Sequence, residues 1–330
     1  MGGLHSCEKS IAHKSDGEFL LIDRDVASYY PNIILNLGLY PKHLGPDFLR
    51  VYGAIVEQRL SAKKSGNSID ADALKITING GFGKFGSKYS VLYSPDLLLA
   101  VTLTGQLSLL MLIEMLELSG IHVISANTDG IVIKAPRKRM DEMNNIIKQW
   151  EEITNFETEE TQYDALYSRD INNYIAVKPG GKCKFKGAYS DPWSDAKAAI
   201  FRFHKNPSTQ ICITAVEKLI TKGVPVEQTI KECFDISRFV SIKNVKGGAV
   251  KDGVYLGKAV RWYYSKETPG PIVYNGSGNM VGKSNGAKPC MDLPKDFPKD
   301  IDYDWYYKEC VEMLFDLSFY QRSKLLDLFD

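Results

Sequence analysis

With 330 residues the chain has room for two or three compact units, and its 44% hydrophobic and 25% charged residues are an ordinary globular balance. Its 41 Lys and Arg nearly cancel 40 Asp and Glu, so the net charge of +1 excludes nucleic-acid binding driven by overall charge and leaves it to local basic patches. The six cysteines (Cys7, Cys183, Cys212, Cys233, Cys290, Cys310) form no C-x-x-C pair, which excludes a visible zinc or disulfide framework and fits a reducing cytosol.

In chain order, Met1-Gly2-Gly3-Leu4-His5-Ser6 fits only the loose myristoylation pattern, and no signal peptide is visible. Phe19-Leu20-Leu21-Ile22 reads as a strand ending near 23–25, after which Ser28 is placed to cap a short helix over 31–37. Residues 47–64 carry helical periodicity (Phe48, Val51, Ile55, Leu60), and a second helix over 70–85 follows the turn Ser65-Gly66-Asn67-Ser68. A long apolar helix is predicted over 95–118. Its stretch 97–113 is interrupted by Thr102, Thr104, Gly105, Gln106 and Ser108 and reads as a buried helix, not a membrane span. A hairpin follows, with 121–126 and 131–133 flanking Asn127-Thr128-Asp129-Gly130. An amphipathic charged helix is predicted over 137–153, then strands over 166–190 around the turn Pro179-Gly180-Gly181. Helices are expected near 207–222 and 226–235, loop and strand over the Gly- and Lys-rich 243–290, and helices over 303–328. No internal repeat interrupts this order.

Two acidic residues stand where rigid backbone would project them: Asp25 at a strand end and Asp129 at a hairpin tip. Each alone has an ordinary reading, as a helix cap or as the Asp of an Asp-Gly turn. Two carboxylates from separate segments are also what two-cation phosphoryl transfer requires. The neighbouring residues tip the balance. Asp25-Val26-Ala27-Ser28-Tyr29-Tyr30-Pro31-Asn32-Ile33-Ile34 closely resembles motif A of the family B (alpha-like) DNA polymerases, Asp-x-x-Ser-Leu-Tyr-Pro-Ser-Ile-Ile. Lys75-Ile76-Thr77-Ile78-Asn79-Gly80-Gly81-Phe82-Gly83 resembles their motif B, Lys-x-x-x-Asn-Ser-x-Tyr-Gly, and Asn127-Thr128-Asp129-Gly130 stands where motif C, Asp-Thr-Asp-Ser, is expected.

The resemblance is strong over 18–135, weaker to 190 and faint beyond. It implies an α+β right-hand polymerase fold with an antiparallel-sheet palm, short helical fingers and an α+β thumb. The division it implies is palm over 1–46 and 93–165, fingers over 47–92, and thumb and C-terminal region over 166–330. It implies a template-directed DNA polymerase using two Mg2+ ions, for which Mn2+ may substitute, held by Asp25, Asp129 and the backbone of Val26. Lys75 would join them as a catalytic residue, protonating the leaving pyrophosphate. Tyr30 would exclude a ribose 2′-hydroxyl, while Arg59 and Lys63, one helical turn apart, grip the triphosphate with Lys75 and Asn79. Primer–template contacts would fall to Gly2, Gly3, Phe82, Gly83 and Thr128, and in the thumb to Tyr174, Lys184, Lys186 and Gly187. The run 178–189 holds Lys178, Lys182, Lys184 and Lys186 and no acid, a phosphate-binding composition.

The chain departs from the pattern at Asn127, which replaces the first Asp of motif C, at Gly80 for Ser and Phe82 for Tyr in motif B, and at Asn172 and Asn173 where basic residues are usual. The Asn127 change opens the alternative of a catalytically weak DNA-binding subunit. A reverse transcriptase is a further alternative, against which the turn lacks Tyr-x-Asp-Asp. Eleven residues separate Lys63 from Lys75, and 50 positions separate Asp25 from Lys75 and Asn79 from Asp129, too little for the insertions of protein-primed relatives. Some twenty residues precede motif A, so the 3′–5′ exonuclease domain is expected to be absent. The expected partners are primer–template DNA and deoxynucleoside triphosphates, with a separate exonuclease subunit or a processivity factor as further candidates and no membrane. A cytoplasmic location follows, the host's if the gene is phage-like.

Overall fold

The computed structural model describes residues 2–190 and 208–320. Two compact units emerge: Met1–Glu8 with His13–Ala165, and Lys9–Ala12 with Leu166–Asp330.

The first unit is built on an antiparallel sheet of order β3-β4-β2-β5, from β2 (Phe19–Val26), β3 (His122–Asn127), β4 (Gly130–Pro136) and β5 (Thr158–Tyr163). β2 lies between β4 and β5, so its last residues are held from both sides, with Asp25 opposite Gly130 on one and Glu159 on the other. Five helices complete the unit: α1 (Tyr29–Asn36), α2 (Asp47–Lys64), α3 (Ser68–Lys84), α4 (Pro95–Leu118) and α5 (Met140–Thr154). Ile22, Ile33, Leu109, Leu112, Ile133 and Trp150 meet in one core, each such side chain contributing about 1.5–3 kcal/mol by leaving water. Trp150 can be wholly buried because its indole N–H donates to the Ser108 carbonyl at 2.8 Å.

α4 begins with Pro95 at a position that needs no N–H, and buries Leu97, Val101, Gly105, Leu109, Leu112 and Leu116 along one stripe. Leu99, Leu103, Leu107 and Leu110 remain exposed on the other side. Among the described residues this is the one helix long and apolar enough to cross a membrane. α2 and α3 form a helical hairpin, and Asn67 caps α3 by accepting from the Asp70 N–H at 3.3 Å.

Two expectations need correction here, and a third gains its bounds. Ser28 precedes α1 but makes no capping bond: its φ of 50° is left-handed and turns its hydroxyl elsewhere. The helix expected from 137 opens with a short 3-10 turn, Arg137–Arg139, and α5 proper starts at Met140. The stretch over 243–290, expected as loop and strand, holds most of two 11-residue strands. The signal was the dipeptide Asp252-Gly253, both residues at positive φ, closing a two-residue hairpin.

The second unit contains β7 (Asn173–Val177), β8 (Cys183–Lys186) and all but the first residue of β6 (Ala165–Asp170), strands of a sheet of order β1-β6-β7-β8 whose edge strand β1 (Ile11–Lys14) begins in that unit. The unit further holds α6 (Gln210–Lys222), α7 (Val226–Lys231), the hairpin of β9 (Ser241–Lys251) and β10 (Val254–Tyr264), β11 (Val273–Tyr274), β12 (Ala287–Pro289) and α8 (Tyr303–Asp316). The last strands form a sheet of order β11-β9-β10-β12. Tyr306 of α8 is fully buried, donating to the Phe239 carbonyl at 2.8 Å and accepting from the Tyr264 N–H at 3.1 Å. The helical expectations before 208 and after 320 lie outside the described residues.

Candidate active site

The register of β2 against β4 sets the geometry. Asp25 faces Gly130, and the Val26 N–H donates to the Asp129 carbonyl at 2.6 Å, so the end of β2 and the tip of the β3–β4 hairpin are tied together. A Cβ at 130 would overlap an Asp25 carboxylate oxygen and lie 3.2 Å from the Arg24 carbonyl, so glycine there lets the Asp25 carboxylate keep its place. Both acidic residues are exposed, the Asp25 side chain at a strand end and Asp129 in a two-residue loop. Two non-glycine residues near them are left-handed, Ser28 at φ 50° and Thr128 at φ 60°. For a β-branched residue such a φ is rare, and such strain of order 1–3 kcal/mol clusters at functional sites.

These residues open onto a cavity of about 490 Å³. It gathers Asp25, Val26, Ser28, Tyr30, Arg59, Lys63, Lys75, Asn79, Thr128 and Asp129. The basic wall comes from two helix faces. Arg59 and Lys63 are one turn apart on α2, and Asp72, Lys75 and Asn79 follow a single face of α3. The Arg59 guanidinium donates to the Ser28 hydroxyl at 2.8 Å, and Lys63 pairs with Glu159.

Asp72 and Glu159 are lining residues that motif reading missed. Glu159 was legible only through sheet register, because it sits on β5 directly opposite Asp25 and therefore on the same face. Asp72 had a simpler signal, standing three residues before Lys75 on the same helix.

Tyr30 lines the cavity with its ring stacked on Phe82, centroids 4.5 Å apart. Burial, then the nearby Asp129 charge, raises its pKa above the ordinary phenol value, so the ring stays neutral. Behind it, Tyr29 donates to the Gly105 carbonyl at 2.6 Å. Gly105 is a packing residue that motif comparison does not reveal: a Cβ there would lie 3.1 Å from the Tyr30 ring and 3.4 Å from Ile33 and Tyr29.

The expected DNA contacts divide. Gly3 packs against Thr128, and Gly2 accepts from the Gln106 side chain. Phe82 and Gly83 do not line the cavity; Phe82 instead packs on Tyr30. Tyr174, Lys184, Lys186 and Gly187 belong to the second unit. There Tyr174 pairs with Lys186 and Ala176 with Lys184, so the aromatic ring and both ammonium groups share one sheet face. Lys186 lies 5.7 Å from the Tyr174 ring centre. Gly187 is confined by Asn172 and Asn173, and Asn173 spends its amide on Asp170 at 2.7 Å and on the Ala188 N–H at 2.7 Å, so it holds the turn together.

Chemically, exposed carboxylates facing a basic wall offer hard oxygen donors to a divalent cation and cationic donors to phosphate. By fold the chain is similar to family B DNA polymerases. The solved structure of the family B DNA polymerase from the hyperthermophilic archaeon Pyrobaculum calidifontis superposes with a TM-score of 0.53 and 16% identity, over 96% of this chain and 46% of that one. In sequence the chain is similar to proteins named DNA polymerase 1: that of Saccharolobus solfataricus at 30% identity over 118 residues and that of Sulfurisphaera ohwakuensis at 27% over 198. These alignments take in 35% and 60% of this chain but only 13% and 22% of those proteins. No protein-family model matches the chain.

Proposed function

We propose that the chain is a template-directed DNA polymerase that extends a primer 3′ end by two-metal-ion phosphoryl transfer. The observation that carries the reading is the meeting of Asp25 and Asp129 at one cavity whose other wall is the Arg59, Lys63 and Lys75 face. The division that goes with it has the first unit's sheet as palm over 1–46 and 93–165, the α2–α3 hairpin as fingers over 47–92, and 166–330 as thumb and C-terminal region. Primer–template DNA and deoxynucleoside triphosphates are the partners in this reading, and the cytoplasm is its compartment.

The Asp25 and Asp129 carboxylates with the Val26 carbonyl are oxygen donors of the kind magnesium prefers, with manganese as a substitute. When bound, two such ions activate the attacking 3′ oxygen and neutralise charge on the leaving pyrophosphate. The chain's own residues do the rest. Arg59 and Lys63 grip the triphosphate, for which Lys63 exchanges Glu159 for phosphate oxygens. Lys75 holds the far phosphates and delivers a proton to the departing pyrophosphate oxygen. Asn79 orients the nucleotide. The Tyr30 ring, braced by Phe82, occupies the volume a 2′-hydroxyl needs.

Primer extension on a primed DNA template with Mg2+ tests the reading. Templated extension is expected. No extension with Mg2+ or Mn2+, while primer–template is still bound, would instead favour a DNA-binding subunit of weak activity, the reading that Asn127 raises.

A further inference from the structure

Resting on that reading, the geometry points to the N-terminal segment 2–6 as a strut that positions Asp129, with Gly3 as its essential residue. The segment runs along the hairpin that carries the acidic tip. Leu4 accepts from the Thr128 N–H at 2.7 Å, and the Ser6 N–H donates to the Ala126 carbonyl at 2.9 Å. The Ser6 hydroxyl accepts from the Ala126 N–H at 2.9 Å, and His5 bridges to Asn127. The other end is anchored where Gln106 of α4 donates to the Gly2 carbonyl.

The fit is tightest at Gly3. A Cβ there would lie 2.7 Å from Thr128 Cγ2 and 2.8 Å from both its Cα and its Oγ1, whereas a Cβ on Gly2 meets nothing within 4 Å. One of those atoms is backbone, so rotating a side chain cannot relieve the crowding. Thr128 is also the residue at φ 60° immediately before Asp129. A hairpin tip that needs an unfavourable φ holds it only if something outside the loop fixes the peptide. The Leu4 carbonyl supplies that restraint, and it can approach only because residue 3 has no side chain. Gly3 therefore acts through Thr128 on the carboxylate next to it. It is a positioning residue, with no contact to substrate required.

The test compares Gly3→Ala with Gly17→Ala, a control in a loop where a Cβ meets nothing within 4 Å. In the full chain, with folding checked by thermal melting, three readouts are taken: amide exchange at Thr128, Mn2+ affinity by titration, and kcat and KM for a deoxynucleotide on primed template. Gly3→Ala is expected to lose Thr128 protection, bind Mn2+ several-fold more weakly, and lose kcat about tenfold or more with KM nearly unchanged, as a misplaced reacting group does. The control is expected to match the unmodified chain. Unmodified kcat and Mn2+ affinity in Gly3→Ala, or a fall confined to KM, overturns the strut, as does an equal loss in Gly17→Ala. If Gly3→Ala does not fold, the double variant Gly3→Ala/Thr128→Gly removes two of the three crowding atoms and frees the left-handed φ. Measurable kcat is then expected to return, and a folded double variant without it overturns the proposal. If the unmodified chain extends no primer, the polymerase reading falls separately. The Mn2+ titration then decides, weaker binding in Gly3→Ala supporting the strut and equal binding overturning it.

Discussion

Asp129 is exposed at the tip of a two-residue loop and Asp25 at the end of a central strand, so each carboxylate meets the cavity without the desolvation cost of a buried charge. In the proposed reaction both hold cations that contribute several kcal/mol to the transition state. Asp129→Ala is therefore expected to cut kcat by about a thousandfold, at 1.4 kcal/mol per tenfold, while a mobility-shift assay finds primer–template affinity retained. Asn127 calls for the opposite outcome. Its side-chain oxygen accepts from the Thr128 hydroxyl at 3.2 Å, an acceptor that Asp would keep. A charge added at this partly exposed site is worth about 1 kcal/mol or less, so Asn127→Asp is expected to leave extension within about fivefold, and a collapse would reveal a need for the amide itself. Tyr30→Ala should let ribonucleotides in, read as a fall in the deoxy-over-ribo ratio of kcat/KM; an unchanged ratio would remove the ring from sugar selection. That Asp25, Asp129, Arg59, Lys63, Lys75 and Asn79 share one cavity was legible in the motifs, because each motif carries its own local backbone geometry. Glu159 was not, and Gly3 was legible only as an expected primer–template contact, not as the residue packed on Thr128. Their places depend on which strand lies beside which, and in what register, and no local pattern encodes that.

At the scale of elements, α4 shows why helical periodicity was easy to read and packing was not. Its run of apolar residues from Pro95 to Leu118 announced a helix, yet the polar interruptions at Thr102 and Gly105 are where it does its positioning. Thr102 satisfies its hydroxyl on the Leu98 carbonyl at 2.8 Å, and Gly105 admits the Tyr29 and Tyr30 rings. In an exposed helix Gly→Ala gains about 1 kcal/mol. Here the sign reverses, because Tyr29 is fixed by its hydrogen bond to the Gly105 carbonyl and Tyr30 by Phe82, so neither ring can give the few tenths of an ångström required. Gly105→Ala is expected to destabilise the first unit by about 1–3 kcal/mol, measured as a lower denaturation midpoint, and to weaken sugar discrimination through a shifted Tyr30. A stabilised variant would mean that the rings repack freely. The β9–β10 hairpin was legible only as a mixture of loop and strand: its glycines and lysines blurred the strand bounds, although Asp252-Gly253 carried the turn chemistry and the strands on either side supply the ladder.

For the molecule as a whole, a net charge of +1 means that long-range attraction cannot bring it to a polyanion, and affinity must come from a few local contacts. In the proposed function the β7–β8 face supplies those contacts. Lys184 and Lys186 project from the same side as Tyr174, Lys178 and Lys182 flank the intervening turn, and no acid occurs over 178–189. Each ammonium that neutralises a DNA phosphate releases a counterion and steepens the fall of log K with log salt by roughly 0.9. Replacing Lys184 and Lys186 together by Ala is then expected to weaken primer–template binding to a similar degree across sequences and to flatten that slope by roughly 1.8, measured by titrations over a range of salt. A solvated lysine face would respond differently: affinity and slope would both stay put, because charges already screened by water and salt have no counterions to release from DNA. The slope is the sharper of the two readouts, since a loss of affinity alone could come from a disturbed hairpin, whereas a flatter slope counts phosphates.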